Sequence, residues 1–207
     1  MNLDQFKQLP IMGILRQIDD DSIEPLSQAV ISSGLKTIEI TMNTKGAASL
    51  IKKMKQAAAG KLALGAGTVL SLDDAKSAIE AGATFIVMPT LVKEVVSYCK
   101  DKNIPVFPGA LSPQEIYNAW NMGATMVKVF PAKFFGPSYF KEIKGPFNDI
   151  ELLACGGVNK DNIKDFFDNK ASAVAFGGSI FKPDLIKEKK FDEIAEGISA
   201  LIEAYRS

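Results

Sequence analysis

The chain has 207 residues, 47% of them hydrophobic, enough to bury one sizeable core, and no linker or low-complexity stretch divides it, so a single domain over 1–207 is expected. Lysine plus arginine balances aspartate plus glutamate at 24 each, which removes the global field that would draw nucleic acid or an anionic membrane. Histidine is absent, which excludes His-dependent triads and the commonest transition-metal ligand, and Cys99 and Cys155 stand too far apart for a metal or redox pair. Acid and base work therefore falls to carboxylates, lysine or tyrosine. Residues 1–7 lack the apolar stretch of a signal peptide, and no segment is long enough to span a bilayer, so a cytoplasmic location is expected.

A short helix over 3–9 opens the chain. Eight times thereafter an apolar run, a turn and an amphipathic helical stretch recur at the spacing of a βα unit. The predicted strands cover 11–16, 37–42, 63–69, 85–90, 105–111, 126–132, 150–158 and 173–181. Helical patterns include 23–32, 46–58, 72–81, 92–100 and 113–122, and a last helix covers 191–205. Asp21-Ser22, Ser71 and Ser112-Pro113 mark helix starts, while Gly34, Gly60, Gly82 and Gly123 suit left-handed caps at helix ends. Eight such units close most simply into an α/β fold, the (β/α)₈ TIM barrel. A doubly wound open sheet is second, because no G-x-G-x-x-G fingerprint follows the first strand.

In a barrel, functional groups gather at the carboxyl ends of the strands. Lys128 interrupts the run Met126-Val127-Lys128-Val129-Phe130-Pro131-Ala132, which otherwise reads as a strand buried on both faces. An amine held among apolar groups has its charged form disfavoured, which makes the neutral, nucleophilic form accessible for imine formation with a carbonyl. A structural ion pair, or a side chain that snorkels out at the strand end, is the plainer reading of the same lysine. Period-two alternation turns Val127 and Val129 towards the helices and Met126, Lys128 and Phe130 inward. It likewise turns Ile38, Ile40 and Met42 outward and Thr37, Glu39 and Thr41 inward, so Glu39 and Lys128 are expected to share one cavity. Arg16 ends the first strand. Gly65-Ala66-Gly67-Thr68 ends the third, where glycines allow close approach and a hydroxyl can hydrogen-bond a ligand. A solvated strand end and ordinary β propensity are the plainer readings of Arg16 and Thr68.

The seventh predicted strand leaves through Cys155-Gly156-Gly157-Val158 and the eighth through Gly177-Gly178-Ser179. In a barrel, these two loops form the usual phosphate site, where backbone N–H groups bind an anion with little help from charged side chains.

Taken in order, Gly13-Ile14-Leu15-Arg16, Glu39-Ile40-Thr41, Gly65-Ala66-Gly67-Thr68-Val69, Pro108-Gly109, Lys128-Val129-Phe130-Pro131-Ala132, Cys155-Gly156-Gly157-Val158 and Gly177-Gly178-Ser179 resemble the KDPG/KHG aldolase family from about residue 11 to 181. The resemblance implies a class I aldolase that cleaves 2-keto-3-deoxy-6-phosphogluconate, or a related 2-keto-4-hydroxy acid such as 4-hydroxy-2-oxoglutarate, to pyruvate and an aldehyde. It implies Lys128 as the Schiff-base lysine and Glu39 as the general acid/base. Arg16, Thr68, Asn43 and Pro89 become substrate contacts, and Gly156, Gly157, Gly177, Gly178 and Ser179 the phosphate site. No metal or organic cofactor is implied, and a homotrimer is. Lys133 is a rival nucleophile on paper, but it lies past Pro131 and is expected to reach solvent.

One departure bears on the substrate. The family's common pattern carries an arginine after the Glu-x-Thr stretch, where this chain has Asn43, and a neutral amide cannot form the bidentate ion pair of a guanidinium. Relatives acting on the galactonate epimer look similar here and in Phe135-Gly136-Pro137, so both epimers stay in play. Two readings from other classes also stand: a sugar-phosphate isomerase or epimerase working with carboxylate pairs, and an idle sugar-phosphate-binding protein in which Lys128 and Glu39 form a structural ion pair.

Overall fold

Asn2 caps α1 (Leu3–Gln8) by accepting from the backbone N–H of Gln5 at 3.1 Å, and the helix buries one side chain, Phe6. In the computed structural model, which describes residues 1–207, that phenylalanine plugs the amino-terminal end of a barrel. Its ring meets Phe107 edge-on at 6.2 Å, and Phe107 meets Phe85 in the same way at 5.9 Å.

The wall is entirely parallel: β1 (Ile11–Leu15), β2 (Thr37–Thr41), β3 (Ala63–Gly67), β4 (Ile86–Val87), β5 (Val106–Phe107), β6 (Gly109–Ala110), β7 (Val127–Val129), β8 (Leu152–Cys155) and β9 (Ala173–Phe176). Their order is β5-β4-β3-β2-β1-β9-β8-β7-β6. Nine segments appear where eight strands are predicted because Pro108 divides the fifth. Proline has no N–H to give a ladder, so β5 pairs only with β4 and β6 only with β7. The Pro108 carbonyl still accepts from the Lys128 N–H at 2.9 Å, so this broken strand carries the wall from β4 round to β7 and closes the TIM-type barrel.

Around it lie α2 (Ile23–Ser32), α3 (Ala47–Ala58), α4 (Leu72–Ala81), α5 (Lys93–Asp101), α6 (Pro113–Asn121), α7 (Ser138–Lys144), α8 (Ile163–Asp168), α9 (Pro183–Lys187) and α10 (Phe191–Arg206). Ser71 caps α4, and Ser112 forms a full capping box with Glu115 on α6. Ser22 differs: a 3₁₀ turn over Asp20–Ser22 leads into α2, and its hydroxyl caps nothing. The short α7, α8 and α9 give too few turns for a periodic signal.

The alternation of side chains holds. Ile38, Ile40, Val127 and Val129 belong to the large apolar cluster between wall and helices, whereas Phe6, Met12, Phe85, Phe107, Met126, Leu153 and Ala175 belong to a separate cluster inside the barrel. Each fully buried Ile or Val of the outer layer contributes roughly 1.5–3 kcal/mol. The inner cluster ends where polar groups begin, at Glu39 and Lys128, which are 1% and 6% exposed.

Every predicted strand that leads to a candidate site stops short of its expected end. β3 ends before Thr68, whose φ is +54°, β8 before Gly156 and Gly157 at +100° and +85°, and β9 before Gly177. Past β8 and β9 the N–H groups of Gly156, Gly157, Gly177 and Gly178 leave the ladder altogether, whereas past β2 and β3 the N–H groups of Met42 and Val69 still bond the neighbouring strand.

Candidate active site

β2 brings Glu39 into the barrel opposite Gly65 on β3, and β7 brings in Lys128 opposite Leu153 on β8. Glu39 lies across Gly67. A Cβ at that position would stand 2.1 Å from its Oε1, so the glycine is what leaves room for the carboxylate. Neither carboxylate oxygen accepts a hydrogen bond, and Oε2 is wholly enclosed. Burial holds the Glu39 carboxyl above the ordinary carboxylate range, although the charges of Lys128 and Arg16 pull it back. Lys128 and Glu39 form no ion pair within 4.0 Å; the protein's ion pairs, Lys53–Asp20, Lys160–Asp161, Lys190–Glu188 and Lys190–Glu193, all lie on the surface. The Lys128 ammonium instead stands 5.3 Å from the centroid of the Phe130 ring, beside Cys155. Burial pushes the Cys155 thiol up, and the Lys128 charge opposes that push.

A cavity of about 410 Å³ opens above these groups at the carboxyl ends of the strands. Its wall includes Arg16, Thr68, Pro89, Lys128, Gly156, Gly157, Gly177, Gly178 and Ser179, so nine of the candidate residues meet in one place. Glu39 lies just behind that wall. Asn43 does not join it: it sits exposed in the turn after β2. The wall holds three cationic side chains, Arg16, Lys128 and Lys133, and no acidic one. Nowhere do three Cys, Asp or Glu side chains gather in a way that could hold a metal ion. A second cavity, of about 600 Å³, opens at the opposite end of the barrel near Phe6, Lys36 and Arg206, but the lysines in its wall, Lys36 and Lys61, are exposed.

At one end of the site Arg16 donates to the Thr68 hydroxyl at 3.4 Å. Thr68 and Gln17 both have left-handed backbones, at φ +54° and +53°, a strained state for a β-branched threonine that the surroundings must hold in place. Part of that support is visible: the Gln17 N–H donates to the Thr44 hydroxyl at 3.1 Å, which shares a 3.0 Å hydrogen bond with Thr41 inside β2. At the other end, the N–H groups of Gly156, Gly157, Val158, Gly177, Gly178 and Ser179 meet no acceptor in the protein. The Ser179 hydroxyl donates to the Val158 carbonyl at 2.9 Å and ties the two loops together. Six unpaired donors around one cavity form a cradle for an anion.

Residues 3–197 match the model of the family described as KDPG and KHG aldolase. The chain belongs to that aldolase family. It is 32% identical over 203 residues to 2-dehydro-3-deoxy-phosphogluconate aldolase of Haemophilus influenzae, covering 97% of this chain and 95% of that one. It is 30% identical over 200 residues to 2-dehydro-3-deoxy-6-phosphogalactonate aldolase of Escherichia coli K12, covering 96% of each. A solved structure described as native KDPGal superposes with a TM-score of 0.90 at 30% identity, over 96% of this chain and 95% of that one. No helix is long and apolar enough to cross a membrane.

In this aldolase Gln17 and Thr44 lie in loops that carry no motif and meet through a backbone-to-hydroxyl hydrogen bond, so no sequence signal marks them. Lys133 is expected in solvent. The side chain is exposed, but it also forms part of the cavity wall beside Gly157. The contact of Gly67 with Glu39 leads to a prediction: Gly67→Ala displaces the carboxylate and lowers turnover by about tenfold or more, in line with the cost of misplacing a reacting group by an ångström or so. Steady-state kinetics, with circular dichroism to verify folding, measure it.

Proposed function

We propose that this aldolase is a class I, Schiff-base enzyme that cleaves 2-keto-3-deoxy-6-phosphogluconate to pyruvate and glyceraldehyde 3-phosphate, and 4-hydroxy-2-oxoglutarate to pyruvate and glyoxylate. The observation that carries the reading is Lys128, a buried amine without an ion-pair partner, in the wall of a cavity that ends in six unpaired N–H donors. A substrate with a carboxylate at one end and a phosphate at the other matches a wall with three cations and no anion.

In this mechanism the Lys128 amine attacks the C2 carbonyl to give a carbinolamine, whose hydroxyl leaves as water with a proton relayed from Glu39. The resulting iminium accepts the electron pair of the C3–C4 bond as the C4 hydroxyl gives up its proton, through water, to the Glu39 carboxylate left by the dehydration step. The aldehyde departs, leaving an enamine. The Glu39 carboxyl then returns that proton to C3, and hydrolysis releases pyruvate and the free lysine. Because Glu39 lies behind the cavity wall, a water carries the proton between carboxyl and substrate. A carboxyl held above its ordinary range is suited to both giving and taking that proton near neutral pH.

The galactonate epimer is the second reading, favoured by Asn43 where the family pattern has arginine and by Phe135-Gly136-Pro137 after the lysine strand. An isomerase working with paired carboxylates finds no such pair in the cavity wall, and an idle binder built on a Lys128–Glu39 ion pair finds no ion pair. The homotrimer belongs to the same proposal, and exposed Leu70 and Tyr117 are apolar groups available for burial between subunits.

Borohydride reduction in the presence of pyruvate, followed by peptide mass spectrometry, tests the reading. The expected result is a reduced pyruvyl adduct on Lys128. Absence of any adduct, under conditions that label a known imine-forming aldolase, sinks it. Cleavage assays with both phosphorylated epimers then assign the substrate.

A further inference from the structure

Lys133 is the one cation in the cavity wall that is neither the proposed nucleophile nor an expected substrate contact. It lies on the 3₁₀ turn Ala132–Phe134, directly after the lysine strand. Its stem starts against the glycine loop: a Cβ at Gly157 would lie 2.6 Å from the Lys133 Cβ. It makes no ion pair, and its ammonium stands 5.1 Å from the centroid of Phe134, itself 71% exposed. An exposed cation–π contact of this kind is worth only about 0.5–1 kcal/mol, and a lysine stem rotates freely. An anion seated in the cradle can draw the ammonium off the ring.

Charge assigns that task. Six backbone N–H groups supply hydrogen bonds but no net charge, whereas a phosphate monoester carries about −1.5 to −2 at neutral pH. Of the three cations in the wall, Lys128 is consumed by the imine and Arg16 is turned to Thr68. We infer that Lys133 is a side-chain ligand of the phosphate, reaching over Gly157 to add a charge-assisted hydrogen bond to the backbone cradle. It thereby sets the preference for phosphorylated over unphosphorylated keto acids. The substrate half of this inference rests on the aldolase mechanism proposed above; the anion-binding half does not.

Two measurements on the wild type, Lys133→Met and Lys133→Arg test it. The first is the affinity for inorganic phosphate by calorimetry. The second is kcat/KM for a 6-phosphorylated 2-keto-3-deoxy acid divided by that for its unphosphorylated counterpart. Lys133→Met keeps the apolar stem and removes the charge, so phosphate binding weakens about tenfold, the loss expected for one hydrogen bond to a charged group, and the ratio falls by a similar factor through KM. Lys133→Arg keeps both. Equal phosphate affinity in the wild type and Lys133→Met, or no phosphate binding by either, overturns the inference. Failure of the aldolase mechanism looks different: no pyruvate adduct forms on the wild type, while phosphate binding still depends on Lys133.

Discussion

Replacing Lys128 by alanine is expected to abolish the pyruvate adduct and to lower turnover by at least about four orders of magnitude, the scale seen when a covalent nucleophile is removed. The fold should survive. Lys128 has no ion-pair partner to orphan, and the space it leaves joins a cavity already open to solvent, so water fills it and no dry void forms inside the barrel. A melting temperature within a few degrees of the wild type is the check on folding. Lys133 makes the experiment more stringent, because a second amine stands in the same wall. If peptide mapping moved the adduct to Lys133, or if turnover fell less than about tenfold, the assignment of the nucleophile would be wrong.

Glu39→Gln should lower turnover by about 10²–10⁴, the range for losing a positioned acid/base group, and it should act on stability in the opposite direction. Because burial holds the carboxyl above its ordinary range, the folded protein keeps a proton that the unfolded chain has already lost. Between the ordinary carboxylate value and the raised one, the folded state therefore binds more protons, and stability falls as pH rises across that window. Glutamine carries no such charge. The difference in melting temperature, variant minus wild type, should be small in acid, where both side chains are neutral, and should grow in favour of the variant as pH rises. An unpaired buried amide costs about 1–3 kcal/mol, less than an unpaired buried carboxylate. A pH-independent difference would mean that Glu39 finds a hydrogen-bond donor in solution. Reduction in the presence of pyruvate separates the steps further: slow adduct formation places Glu39 in building the imine, and normal adduct with slow cleavage places it after.

The resemblance to the aldolase family could be read from short motifs because each sits at a strand end, where the βα repeat fixes its height and side in the barrel. Alternation by two turns Glu39 and Lys128 inward, since a residue on a strand has only two faces and the apolar neighbours Ile38, Ile40, Val127 and Val129 claim the outer one. The glycine pairs after β8 and β9 were legible for a similar reason, as positive φ at Gly156 and Gly157 is cheap only without a side chain.

What the sequence could not decide depends on distance across the barrel. Pro108 dividing the fifth strand follows from a missing N–H, yet only the ladder shows that its halves serve different neighbours. Asn43 stands two residues beyond Thr41, yet it is exposed in the turn after β2 and forms no part of the cavity wall, whereas Lys133, just past Pro131, turns back to Gly157. The repeat, the inward faces and the chemistry available at each strand end are legible in the chain, because those are local properties of period and residue type. Which ends converge, how Glu39 and Lys128 share the interior without pairing, and how six N–H groups are left unpaired around one cavity emerge from the closed barrel. Those are properties of closure, which no stretch of chain carries alone.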